Sequence, residues 1–306
     1  MKAIFRYYTP DEGLEDIQAE VYGKNMKNLG GTLATANQIR QRYQAEKVDP
    51  QGVRYALKED GSPLAYIQTR LSSNPDRTFI GYPWAMPDCP PEIQEKLFSE
   101  TFEYIKKRDL KPDSQWKFVM GFWHDTWRKQ IAFAKKNGFT IDDKRFQYVL
   151  NARAIGKADD QAYFAKVGQK HDLKSLVELG EADPEIITAF PNKDAMTGYF
   201  KDRVLTDGHC IILFDQSNKP IAAGAILPGF STSGNLLRFS ASRPGYDNLW
   251  KTLLVEISSY CVEQGWEETP LLFSCSSERN RPRIAEELKA TLQLTEIMFS
   301  QMITDS

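Results

Sequence analysis

No stretch of this 306-residue chain stays apolar for the ~20 residues that a membrane span requires. The longest apolar runs, Ile221–Leu227 and Leu271–Cys275, are only strand-length. The opening MKAIFRYYTPDEG has no apolar core of the signal-peptide kind, so no leader is expected. Cysteine is scarce: Cys89, Cys210, Cys261 and Cys275 lie far apart and form no CxxC pair. Free, buried thiols in a reducing cytoplasm are the expectation. Histidine is scarcer still, and the scatter of His124, His171 and His209 argues against zinc or another metal. There is no excess of either charge: the formal net charge is −2 and the pI about 6.0, which excludes a basic footprint for nucleic acid or an anionic membrane. With 41% hydrophobic and 26% charged residues the composition is that of a folded globular chain, long enough for two domains.

What is present is an alternation of strand and helix patterns that occurs twice. The first pass predicts a strand over Ala3–Tyr8, a helix after Thr9-Pro10-Asp11 and a second helix over Thr32–Glu46. Strands follow at Val53–Lys58, Leu64–Leu71 and Arg77–Ala85, then a helix at Pro91–Lys107. A strand at Trp116–Gly121, a helix at Thr126–Asn137 and a strand pair, Phe139–Ile141 and Arg145–Leu150, close the pass. The second pass predicts a strand at Tyr163–Val167, helices at His171–Leu179 and Lys193–Val204, and strands at Cys210–Phe214, Ile221–Leu227 and Leu236–Ala241. It ends with a helix at Asn248–Glu263, a strand at Leu271–Ser274, a helix at Arg283–Leu292 and a strand at Glu296–Met302.

Subtraction tests the register. Pro63 to Pro220 is 220 − 63 = 157, while Phe118 to Phe273, Phe133 to Leu288 and Phe139 to Leu294 are each 155. Four landmarks near one offset indicate a duplication, with its joint in the polar stretch Ala154–Asp160.

This order of elements resembles the GNAT superfamily of acyl-CoA-dependent acyltransferases. The most specific local match is Phe133-Ala134-Lys135-Lys136-Asn137-Gly138-Phe139, an aromatic-rich helix turn stopped by Gly-Phe before the next strand. The expected fold class is therefore α/β, an α+β mixed sheet, in two tandem GNAT-like acyl-CoA N-acyltransferase domains, residues 1–155 and 158–306.

The resemblance implies acetyl-CoA or another acyl-CoA as co-substrate. Its pyrophosphate would sit at the start of the third helix, in a loop of the type Arg-x-x-Gly-x-Gly/Ala, where unpaired N–H groups meet phosphate. Neither copy carries that pattern. In the first, Pro87-Asp88-Cys89-Pro90-Pro91-Glu92 removes amide donors and adds carboxylates, which suits a helix start and opposes an anion. In the second, Ser240 to Leu249 offers Ser242, Arg243, Gly245, Tyr246 and Asn248 as cofactor contacts, with Lys251 one turn in and Asp247 opposing. The same stretch also reads as a Pro-Gly turn feeding a helix capped by Asp247 or Asn248.

Many members of the superfamily use a tyrosine on the fourth helix as acid; Ala134 stands there in the first copy and Lys289 in the second. Glu278, Glu256, Tyr246, Tyr260, His209 and His124 remain as acids or bases, with no spacing that selects one. The cluster Phe122-Trp123-His124-Asp125-Thr126-Trp127 reads as packing between the copies or as a pocket wall. Three functions follow as expectations. The first is transfer of an acyl group to an amine of a small molecule or peptide, with one half structural. The second is a non-catalytic GNAT-fold protein that binds a ligand or partner. An aminoacyl-tRNA-dependent transferase is the third, and the lack of a basic stripe weighs against it.

Overall fold

The computed structural model describes residues 2–29, 33–45, 48–71, 77–154, 163–190, 192–205, 209–231, 234–276 and 280–304. The expected joint at Ala154–Asp160 falls almost wholly outside the described residues, and so does Glu278. The chain runs β1 (Ile4–Tyr7), α1 (Leu14–Leu29), α2 (Ala36–Ala45), β2 (Val53–Leu57), β3 (Pro63–Leu71), β4 (Arg77–Ile80), β5 (Trp84–Ala85), α3 (Pro91–Asp109), β6 (Gln115–His124), α4 (Arg128–Lys136) and β7 (Thr140–Leu150). It continues with β8 (Tyr163–Val167), α5 (Leu173–Ala182), α6 (Pro184–Ala189), α7 (Lys193–Tyr199, extended by a π-turn to Val204), β9 (His209–Asp215), β10 (Pro220–Ser231) and β11 (Gly234–Ser242). The last elements are α8 (Leu249–Glu263), β12 (Leu271–Ser276), α9 (Arg281–Glu287) and β13 (Thr291–Thr304). Every element of the first pass except the short β5 has its counterpart in the second. The addition is α6, which starts because the buried Asp183 carboxylate accepts the amides of Glu185 and Ile186.

Two compact units are present: residues 1–142 with 297–306, and residues 143–296. In the first, β1, β2, β3 and β4 pair antiparallel in turn, and β4 then runs parallel to β6. The part of β13 from Ile297 onward belongs here, beside β6. In the second, β8, β9, β10 and β11 are antiparallel, β11 is parallel to β12, and β12 pairs antiparallel with the Arg145–Leu150 part of β7. Each unit therefore contains the closing strand of the other sequence copy.

Pro63 and Pro220 both open the second strand of a hairpin, where a missing N–H is harmless. The landmark on the fourth helix shifts. Gly138 (φ +81°) ends α4, with Phe139 N–H donating to Ala134 O. Lys289 (φ +58°) ends α9, with Ala290 N–H donating to Ala285 O. These are the same C-terminal motif, so the local offset is 289 − 138 = 151 rather than 155. Ala285, not Lys289, is the counterpart of Ala134, and both are fully buried. Strand Thr140–Leu150 is continuous where two strands were expected, whereas Arg77–Ala85 is interrupted at residues 81–83.

Candidate functional site

The interruption in Arg77–Ala85 organises the first unit. β4 pairs with β3 as Thr69↔Ile80 and β5 pairs with it as Tyr66↔Trp84. The index sum changes from 149 to 150, a one-residue bulge. Gly81 N–H still donates to Gln68 O at 2.8 Å, and a Cβ on Gly81 would stand 3.0 Å from that oxygen, so a side chain would crowd it. On the other side, the parallel pairing of β4 with β6 is recorded from Arg77↔Lys117 to Phe79↔Val119, after which β4 ends and β6 continues past Gly121 (φ +75°).

Two cavities lie at this bulge. The larger, about 410 Å³, is walled by Tyr22, Tyr66, Tyr82, Trp84, Trp123 and Trp127, with Gln18, Arg42 and Gln68 as its polar side chains. Its rings brace one another edge to face: Trp84 meets Tyr22 at 87°, Tyr82 at 73° and Trp127 at 82°. Trp123 is held between Tyr82 and Phe299. The smaller cavity, about 170 Å³, shares Arg42, Gln68 and Gly81 and adds Thr69, Arg70, Phe79, Met120 and Gly121.

Behind the wall is a polar network. The Tyr43 hydroxyl donates to Gln18 Oε1 at 2.6 Å and stands 2.9 Å from Gln68 Oε1; Tyr55 donates to Gln18 Oε1 at 3.1 Å. Gln18 Nε2 donates to Gln68 Oε1 at 3.0 Å. These bonds fix both glutamines against the cavity floor. Burial raises the phenols of Tyr22 and Tyr82 above their ordinary range, and Tyr66 well above it. They are proton donors at neutral pH.

The sequence-selected groups lie elsewhere. In the second unit the turn Arg243–Tyr246 is closed by Tyr246 N–H donating to Arg243 O, with Gly245 at φ +85°. Leu249 N–H then donates to Tyr246 O. Ser242 N–H donates to Asp183, and its hydroxyl is 3.3 Å from Asp247. Arg243 Nε donates to Pro220 O at 2.7 Å, and its Nη2 is 3.8 Å from Glu178. Asn248 precedes α8 without a side-chain cap, and Tyr246 is exposed. Ser242, Arg243, Gly245, Tyr246 and Asn248 are thus brought together, with the cation and the amides of Ser242, Arg243 and Tyr246 engaged and the carboxylates of Glu178, Asp183 and Asp247 near. At α3 of the first unit, Pro90 and Pro91 start the helix and Lys58 pairs with Asp88 at 2.8 Å.

His209 Nδ1 is 2.5 Å from the Tyr260 hydroxyl, and burial lowers its pKa. Glu256 is raised by burial and then by Glu263. Neither lines the two cavities. His124 stacks on Trp127 at 5.4 Å. Trp123 and Trp127, expected as packing between copies or a pocket wall, are buried in the first unit's own core and wall its cavity. Sequence reading missed Gln18, Arg42 and Gln68. They sit on three separate elements and share no motif.

No protein-family model matches the chain, and no curated protein matches it in sequence. Solved structures do match. A GCN5-related N-acetyltransferase from Sphaerobacter thermophilus aligns at TM-score 0.71 and 12% identity, over 99% of this chain and 96% of that one. A tandem GNAT protein from the clavulanic acid biosynthesis pathway aligns at TM-score 0.61 and 10% identity over 100% of both chains. The fold is a tandem GNAT fold. A GCN5-related N-acetyltransferase from Anabaena variabilis gives TM-score 0.57 at 10% identity, covering 98% of this chain and 72% of that one. At these identities the likeness concerns the GNAT fold and not the substrate. Among the described residues no helix is long and apolar enough to cross a membrane, and no cluster of three metal-ligating side chains is present.

Proposed function

We propose that the protein is an acyltransferase that moves the acyl group of acetyl-CoA, or another acyl-CoA, to an amine of a small molecule or peptide held in the first unit. The observation that carries this reading is the 410 Å³ aromatic cavity set against the β-bulge. Its volume is within the roughly 300–1,000 Å³ of small-molecule sites. The donor supplies an activated thioester. The smaller cavity, which sets Val48, Phe79, Ile80 and Met120 beside Arg42, Tyr43, Gln68, Thr69 and Arg70, is where its acyl arm fits. Closely braced rings exclude water from the acceptor. Tyr82, kept protonated by burial, lies at the bulge and is the lining group suited to give a proton to the departing thiolate. Among the described residues the cavity wall contains no Asp, Glu, His, Lys or Cys. The acceptor therefore enters as the free amine, and the rate rises with pH towards the acceptor's own pKa.

A second reading, a non-catalytic ligand-binding protein, is favoured by one feature: α3 starts on prolines, and at 242–248 the cation and several amides are engaged within the protein. Thiol release from acetyl-CoA in the presence of a panel of primary amines separates the two. Amine-dependent release supports transfer, and its absence with ligand binding intact supports the second. If the 242–248 loop does hold the pyrophosphate after rearranging, Arg243→Ala weakens CoA binding about 10- to 150-fold. Asp247→Asn then strengthens it. Unchanged affinity in both variants places the donor in the first unit.

A further inference from the structure

Among the described residues Arg42 is the one charged side chain in the wall of the larger cavity. It is half-buried, yet it forms no ion pair with any described residue. Its recorded contacts are a long hydrogen bond from Nη2 to Gln68 Oε1, 3.4 Å, and a stacking contact on the Tyr43 ring at 5.7 Å. Both are weak compensation for a guanidinium withdrawn from water. Elsewhere in the same unit the part-buried arginines are paired: Arg54 with Glu100, Arg108 with Asp49 and Asp109. A guanidinium in an aromatic chamber, with no ion-pair partner among the described residues, calls for a planar anion, which it meets with two parallel bonds. Gln68, which accepts from Arg42, is itself fixed by Gln18 and Tyr43, so the guanidinium is held on the wall rather than swinging into solvent. Much of the remaining wall is ring surface, and Trp84, Trp123, Trp127 and Tyr82 are each less than a tenth exposed.

Resting on the reading of this cavity as an acceptor site, we infer that the acceptor is an α-amino acid with an aromatic side chain. Its carboxylate pairs with Arg42, its ring lies among the tryptophans, and its amine is the nucleophile. A simple amine offers the guanidinium no anion, whereas the amino acid's carboxylate does. A phosphate of the acyl donor is the other anion that Arg42 could take, and the test below separates them.

The test is calorimetric titration of the full chain, without acyl donor, with L-phenylalanine, L-tryptophan, phenethylamine and L-leucine. L-Phenylalanine or L-tryptophan is expected to bind at least about tenfold more tightly than phenethylamine, which lacks the carboxylate, and than leucine, which lacks the ring. Arg42→Gln is expected to weaken the aromatic amino acid about 10- to 150-fold, to leave phenethylamine unchanged, and to weaken CoA far less than the amino acid. Equal or tighter binding of phenethylamine, or no binding of either aromatic amino acid, overturns the inference. Loss of CoA binding in Arg42→Gln, with amino-acid affinity intact, overturns it in favour of the donor's phosphate. These comparisons on the wild-type chain need no variant to fold. Binding as expected without acyl transfer would refute the transferase reading while leaving this one standing.

Discussion

At the scale of single residues, His209 offers a direct electrostatic check. Burial beneath Tyr260 and Trp266 depresses its pKa below the ordinary value near 6.5. The folded state thus prefers the neutral ring, and the unfolded chain takes up a proton first as pH falls. Its stabilising contribution is present above about pH 6.5 and is lost as pH drops through the lower folded pKa. The melting temperature should fall more between about pH 7 and pH 5 in the wild type than in His209→Gln, measured by scanning calorimetry. Parallel profiles would refute the shift. The four thiols were legible as free cysteines, and Cys210, Cys261 and Cys275 are buried with Cys89 half-buried. Burial pushes Cys89 and Cys261 to about 11 and Cys210 and Cys275 to about 12. Arg42 was not legible. An arginine on a polar helix face looks like any solvated charge until the strands beside it are known.

Helices and strands were the most legible scale, because periodicities of 3.6 and 2 are local. The stop of α4 was read from Gly138; the equivalent stop of α9 was not, because Lys289 occupies the left-handed position without being glycine. A lysine there is strained, which gives a paired prediction. Gly138→Ala should destabilise the protein by about 1–2 kcal/mol. Lys289→Gly should stabilise it by up to about 1 kcal/mol, since greater freedom of the unfolded chain offsets part of the relief. Denaturant midpoints measure both, and a gain for Gly138→Ala would contradict the cap assignment. The bulge at 81–83 escaped sequence reading for a different reason. Gly81 and Pro83 mark a weak point in Arg77–Ala85, but only the pairing with β3 reveals the extra residue.

For the whole molecule, the order of elements indicated the duplication and the GNAT likeness, but not which closing strand completes which unit. Strand pairing is a long-range choice that local pattern does not encode. The residues from Ile297 onward complete the first unit, where Phe299 is fully buried against Trp123. Phe299→Ala should therefore cost about 3–5 kcal/mol and loosen the cavity wall, read from tryptophan fluorescence during unfolding. A loss under about 1 kcal/mol would argue against that packing. The central claim, that the first unit's aromatic cavity is the acceptor site, rests most directly on filling it. Ala34 lines the cavity and is only partly buried, so Ala34→Phe can occupy that space without disrupting the core. The decisive measurement is steady-state thiol release from acetyl-CoA with an aromatic amino acid as acceptor, in wild type and Ala34→Phe. The account predicts transfer by the wild type, with kcat/KM for the acceptor falling at least about tenfold in the variant at unchanged melting temperature. An unchanged kcat/KM, or no transfer by the wild type to any primary amine, would contradict it.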